Sequence, residues 1–224
     1  MKLYYHPVST TSRPVMLFAA DEGIALDYEL VDLLTGAHFQ PAFTSINASQ
    51  QVPVLQDGDL RLTESSAILK YLAEKHGSAA YPKDLIQRAR VNEAMDWLNT
   101  GFYRDLGYGL IYPQIFAHYK REQDDVQAAN LAWGREKARR WLDILDRDLL
   151  GNKPYLCGAQ ITVADYLAIG MLTLGEVTRF DYRGWPNVSR WIERIKARPS
   201  WSSVHETFYA HFVTAYKDAS FVAL

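Results

Sequence analysis

Gln51-Val52-Pro53-Val54-Leu55-Gln56-Asp57-Gly58-Asp59-Leu60-Arg61-Leu62-Thr63-Glu64-Ser65-Ser66-Ala67-Ile68-Leu69-Lys70-Tyr71-Leu72 is the stretch that decides the fold. Its apolar opening is interrupted by Pro53, which has no N–H to give to a strand ladder. Asp57-Gly58-Asp59 is turn chemistry, so the run before it and Leu60-Arg61-Leu62 after it read as a hairpin. Thr63-Glu64-Ser65-Ser66 then leads into Ala67-Ile68-Leu69-Lys70-Tyr71-Leu72, a helical run. A hairpin feeding a helix whose start carries hydroxyls and one acid makes a small anion-binding corner. The rest of the chain reads as completing and covering that corner.

Working toward the N-terminus, 25–33 alternates imperfectly, with Leu26, Tyr28 and Leu30 on one face, and predicts a strand. Before it, Pro14-Val15-Met16-Leu17-Phe18-Ala19-Ala20 has helical composition, with Pro14 in the first turn and Gly23 as a stop. Lys2-Leu3-Tyr4-Tyr5 is a short strand ended by His6-Pro7, and Ser9-Thr10-Thr11-Ser12 offers several helix caps. A short helix is expected within 35–47. The order strand, helix, strand, short helix, strand, strand, helix suits a parallel pair with a crossover and an antiparallel hairpin added, a four-stranded mixed sheet.

Past Asp84 the pattern becomes helical. A long helix is expected over 85–112, loosened near Gly107 and Gly109, followed by a short piece or lid over 115–119. An amphipathic helix is expected over 130–150 and a buried one over 166–174, with further helices beyond Trp185. Thr162 and Asp165 match a capping box, with Asp shorter than the preferred Glu or Gln. The change of pattern predicts two domains, 1–78 mixed α/β and 85–224 all-α.

Composition narrows the function classes. A net charge of −2 with dispersed basic residues gives no footprint for nucleic acid or an anionic membrane. No stretch is long and apolar enough to span a bilayer, and no signal-peptide pattern opens the chain. Cys157 is the single cysteine, so neither an internal disulfide nor a cysteine redox pair is possible, and a reducing, cytoplasmic location is expected. The six histidines are scattered without metal-ligand spacing, and no metal site is expected.

Three motifs carry a family resemblance: Asn47-Ala-Ser-Gln-Gln-Val-Pro-Val-Leu55, Glu64-Ser65-Ser66-Ala67-Ile68 and Gly158-Ala-Gln-Ile-Thr-Val-Ala-Asp165. Together they resemble the soluble glutathione S-transferase family over essentially the whole chain. The first domain resembles that family's thioredoxin-like half and the second its helical half. Tyr5-His6-Pro7-Val8-Ser9-Thr10-Thr11-Ser12-Arg13 is similar to the serine-type start of the theta and related bacterial and insect classes. The lead into Val52-Pro53 departs from the usual asparagine-proline-x-glycine.

The resemblance implies glutathione as cosubstrate, a two-fold homodimer, and a set of site residues. Ser9 takes the catalytic position, donating its hydroxyl to the sulfur and so favouring the thiolate; Ser12 is the fallback donor, and a helix N-cap is the competing role for both. Pro53 is expected to be cis, turning Val52 so that its amide and carbonyl pair with the cysteinyl backbone of glutathione. Glu64 and Ser65 would hold the γ-glutamyl end, and His38, Gln40 and Gln51 approach the glycyl carboxylate. Arg13 belongs to a packing or charge network behind the site. Tyr103, Arg104, Tyr108, Tyr112 and Phe116 are candidates for the wall of the electrophile pocket, covered by Phe208 or Phe212, with core packing as the competing role. Thr162 and Asp165 are structural. The expected activity is conjugation of glutathione to a hydrophobic electrophile, or displacement of halide from one. The alternatives are glutathione-dependent isomerisation or peroxide reduction, and a non-catalytic ligand-binding or protein-interaction module.

Overall fold

A computed structural model describes residues 1–224. Its first half holds β1 (Lys2–Tyr5), α1 (Ser12–Asp21), β2 (Asp27–Leu30), α2 (Pro41–Thr44), β3 (Val54–Asp57), β4 (Leu60–Leu62) and α3 (Ser65–Lys75). The strands form one sheet in the order β2-β1-β3-β4. β1 runs parallel to β2 through the α1 crossover, and β3 lies antiparallel to both β1 and β4. This is the mixed sheet the sequence predicts. Gly58, at φ 59°, supplies the left-handed turn between β3 and β4.

Alternation along the strands sorts two cores. Leu3 and Leu55, paired in register, point to the face covered by Leu17 and Phe18 of α1 and by Ile68, Leu69 and Leu72 of α3. Tyr4 and Val54, one residue along, face the other way, where Val31, Phe43 and Val52 form a small separate cluster. The alternating segment does form the strand β2, but its apolar face is not buried. As an outer strand it leaves Tyr28 42% and Leu30 57% exposed, because alternation carries no information about whether a second layer covers the strand.

The second half is helical: α4 (Leu85–Trp97), α5 (Tyr112–Ile115), α6 (Asp124–Ile144), α7 (Val163–Val177), α8 (Pro186–Lys196) and α9 (Trp201–Thr207). No helix is long and apolar enough to cross a membrane. Between α4 and α5 the chain stays helical but widens to π-type turns over Leu98–Phe102 and Arg104–Ile111. Trp141 of α6 presses on Gly101, where a Cβ would lie 2.9 Å from the indole, and donates from Nε1 to buried Asp105 at 2.7 Å.

Every residue of α7 from Val163 to Gly175 is buried, so this helix is the post around which both halves pack. Its start is held by Asp165, whose carboxylate accepts from the Thr162 N–H (2.8 Å), the Thr162 hydroxyl (2.9 Å), the Leu156 N–H (2.9 Å) and the Trp191 indole (2.9 Å). On the side facing the sheet, Tyr166 packs edge-on to Phe18 and donates to Asp21, which also pairs with Arg198. α1 is thereby fastened to α7 and to the turn that follows α8.

Behind α1 lies His205, 1% exposed, stacked on Trp201 at 3.7 Å with Nδ1 3.0 Å from the Trp201 carbonyl. Burial, aided by the charge of Arg13, pushes the imidazole down to about 3. The unfolded chain therefore binds a proton near pH 6.5 that the native state refuses until about pH 3, and stability falls as pH drops through that window. We expect His205→Phe to flatten this slope, read as unfolding free energy in denaturant at about pH 7 and about pH 5. An unchanged slope in the variant would remove His205 as its source.

Candidate active site

Four consecutive hydroxyls, Ser9-Thr10-Thr11-Ser12, occupy the turn between β1 and α1, and each is committed differently. Ser9 Oγ accepts the backbone N–H of Thr11 at 3.3 Å and of Ser12 at 3.2 Å. Both oxygen lone pairs are thus engaged, and what the side chain has left to offer is its proton. Ser9 Oγ lies 3.1 Å from Thr11 Oγ1. Thr11 directs its own proton to the Val52 carbonyl at 2.9 Å, which ties this turn to the strand entry opposite. Thr10 is buried and accepts from Tyr112 at 3.1 Å. Ser12, the fallback donor, is fully buried with its oxygen 3.5 Å from the His6 N–H, so the helix start hides it from any ligand. Ser9 combines partial exposure, saturated acceptor capacity and a position ahead of the positive end of α1.

Across from this turn the Val52–Pro53 peptide is cis. The loop before it is pinned by Asn47, which donates from Nδ2 to the Gln51 carbonyl at 2.8 Å and accepts the Ser49 N–H at 3.0 Å. Gln51 and Gln40 are exposed, and His38 is half-buried against Phe39 with Nδ1 lacking a partner. Glu64 is exposed at φ 65°, ψ 114°, a left-sided conformation that a non-glycine residue adopts only where its surroundings impose it. It delivers buried Ser65 to the first turn of α3, whose leading amides have no side-chain cap. Ile68 makes the first backbone bond of that helix, to Glu64, so the amides ahead of it have no intrahelical acceptor, a geometry that suits an anion.

The helical half supplies an aromatic wall. Tyr103 and Tyr108 meet edge-on at 5.4 Å and Tyr108 and Tyr112 at 5.1 Å, while Phe116 lies tilted against Tyr112 at 5.6 Å and Tyr119 stacks on Tyr112 at 5.5 Å. Phe116 stacks in turn on Phe212 at 6.0 Å. Two expected wall residues stand elsewhere. Arg104 is exposed and ion-paired to Asp105 at 2.8 Å. Phe208 is fully buried with the Arg13 guanidinium 3.6 Å above its ring, so Phe212 covers the wall in its place.

Arg13 itself is wholly buried. It donates to Thr173 at 2.8 Å while Nε and one terminal nitrogen find no acceptor, and burial lowers it to about 10. Thr10, Thr11, Tyr119 and Gly170 were not singled out by sequence reasoning as parts of this region. Thr10 and Thr11 stood in view only as competing caps, and Gly170 had no local signal, because its role is to let α7 touch the Ser9 turn.

The turn carrying Ser9 is thus tied to the cis-proline strand entry through Thr11 and to the aromatic wall through Thr10 and Tyr112. The family described as glutathione S-transferase, N-terminal domain, matches residues 1–74, and glutathione S-transferase, C-terminal domain, matches 110–199. The chain belongs to the glutathione S-transferase family. Human glutathione S-transferase theta-2 is 34% identical over 204 residues, 88% of this chain and 81% of the relative. Human theta-1 is also 34% identical, covering 88% of this chain and 82% of its own length. Among solved structures, a human theta-class transferase with the glutathione conjugate of 1-menaphthyl sulfate superposes with a TM-score of 0.83 at 30% identity, covering 97% of this chain and 89% of that one. A Nilaparvata lugens delta-class enzyme gives 0.83 at 30% identity, covering 96% and 98%. This transferase is of the theta class, its activity is glutathione transfer, and glutathione is its cosubstrate.

Proposed function

We propose that this glutathione S-transferase activates its cosubstrate through Ser9 and adds it to, or displaces halide with it from, a hydrophobic electrophile seated on the tyrosine wall. The carrying observation is the hydrogen-bond state of Ser9: with both lone pairs taken by backbone amides, it acts toward sulfur as a donor and not as a base or nucleophile. Donation to sulfur favours the thiolate, which attacks the electrophilic carbon while its leaving group departs with the bonding pair. No covalent enzyme intermediate is required.

The tripeptide lies along the cis-proline strand entry. Its cysteinyl backbone pairs with Val52, and its γ-glutamyl carboxylate meets the free amides of Ser65 and the turn behind it. Glu64 faces the amino group, and His38 and Gln51 face the glycyl end. A thiol-transferase chemistry centred on Cys157 is disfavoured, because burial pushes that thiol up to about 11. The aromatic ligand of the human theta-class relative supports an aromatic, partly apolar electrophile. The Tyr5-to-Arg13 segment supports the narrower reading of a serine-type bacterial theta-like enzyme.

We place the domain division at 1–78 and 85–224 and expect a two-fold homodimer. Leu60 of β4 is 40% exposed and Leu85 and Ile86 of α4 are 79% and 74% exposed, apolar surface suited to the first domain of one subunit meeting the helices of the other. Solution mass tests the dimer, and a monomer at working concentration contradicts it. Activity is tested by glutathione consumption with aryl and alkyl halides. Saturable, glutathione-dependent halide release is expected; binding without turnover across both classes favours the ligand-binding module, and turnover only of peroxides or of isomerisable substrates favours the other enzymatic readings.

A further inference from the structure

The hydrogen bonds joining Tyr103, Tyr112 and Thr10 run in one direction. Tyr112 Oη donates to Thr10 Oγ1 at 3.1 Å, which commits its only proton. Its 2.5 Å contact with Tyr103 is therefore a donation from Tyr103 to Tyr112. Burial raises both phenols, so each keeps its proton at neutral pH and the direction holds. The chain spans 102 residues of sequence between Tyr112 and Thr10 and ends on the residue next to Ser9.

Thr10 is held on its other side as well. Its carbonyl lies against Gly170 of α7, so close that a Cβ there would sit 2.6 Å from the oxygen. The Ser9 turn is thus gripped between a tyrosine hydroxyl and a glycine, both from the helical half. Orientation of a reacting group is where small displacements weigh most. Ser9 has one proton to aim, and the backbone that carries it is clamped at the following residue.

We propose that Tyr112 is a positioning residue for Ser9, fixing Thr10 from the helical domain so that the serine hydroxyl points at the glutathione sulfur. This rests on the reading of Ser9 as the thiol donor. Tyr103 holds the Tyr112 hydroxyl in its donating rotamer. Because Tyr112 also touches Tyr108, Phe116 and Tyr119, the wall meeting the electrophile and the turn meeting the thiol share one side chain.

Thiolate absorbance of bound glutathione, titrated against pH in the intact protein alongside glutathione affinity and turnover, tests the proposal. Tyr112→Phe keeps the ring and deletes the donor; Thr10→Val deletes the acceptor. Each is expected to weaken ionisation of the bound thiol and lower turnover by about tenfold, the scale of one buried hydrogen bond, with glutathione affinity within about twofold. The double variant should be no worse than either single one, and Thr10→Ser should restore the parent titration. Parent-like ionisation in folded Tyr112→Phe, or losses that add in the double variant, would overturn it. Should Tyr112→Phe fail to fold, Thr10→Val against Thr10→Ser decides the same question. Ser9→Ala in the same series separates the two claims: if it leaves ionisation unchanged, the donor reading fails; if it shifts ionisation while Tyr112→Phe does not, positioning alone fails.

Discussion

Asp165→Ala is expected to lose about 3–5 kcal/mol of unfolding free energy, the range for breaking a buried, hydrogen-bonded carboxylate network. Its carboxylate is wholly buried and accepts from two backbone amides, a hydroxyl and an indole. Removing it strands those donors away from water at the start of the helix on which both halves pack. The four donors tie together the loop at Leu156, the cap at Thr162 and Trp191 of α8, so the loss is felt globally and not at one helix end. Asp165→Asn keeps the size and one acceptor oxygen and should lose less. Denaturant unfolding measures both, and turnover per folded molecule of Asp165→Asn should stay near that of the parent. A parent-like midpoint for Asp165→Ala would contradict the assignment of this residue as the anchor of α7.

The second large effect is expected at Gly170. A Cβ there would fall 2.5 Å from the Pro14 ring and 2.6 Å from the Thr10 carbonyl, neither of which belongs to a flexible side-chain tip. Gly170→Ala must therefore push α7 away from the start of α1. The displaced atoms belong to the Ser9 turn and to the helix that follows it, so stability and thiol activation should fail together. We expect a loss of about 2–3 kcal/mol for overpacking a close contact and a drop in turnover of at least about tenfold in the folded fraction. Unfolding midpoint and thiolate titration on one preparation check this. Normal thiol ionisation in a folded Gly170→Ala protein would show that the turn tolerates the shift.

Much of the fold was legible because it rests on local patterns. Turn chemistry at Asp57-Gly58-Asp59 located the hairpin. The apolar run of α7 announced burial on all sides, and Thr162 with Asp165 announced its start. The wall of the cleft was legible in residue type but not in arrangement. Tyr103 and Tyr108 stand five apart, a spacing that an α-helix sends to different faces and that π-type turns bring together at 5.4 Å. Nothing in the local residue pattern announces that widening, and Trp141, which packs against Gly101 within it, arrives from another helix. The same limit applies to Ser9-Thr10-Thr11-Ser12. All four positions carry helix-capping hydroxyls, and only the arrival of Tyr112, the Val52 carbonyl and the His6 amide distinguishes them. Phe208 was misplaced for a related reason: the buried guanidinium that occupies its ring face comes from the far end of the chain.

Ionisation of the bound glutathione thiol, followed by thiolate absorbance across pH in the parent and in Ser9→Ala, tests the central claim most directly. The account predicts a thiol that ionises well below its ordinary range, near 8.5 for a free cysteine thiol, in the parent, and returns toward that range in Ser9→Ala while glutathione stays bound. Identical titrations in the two proteins would contradict it.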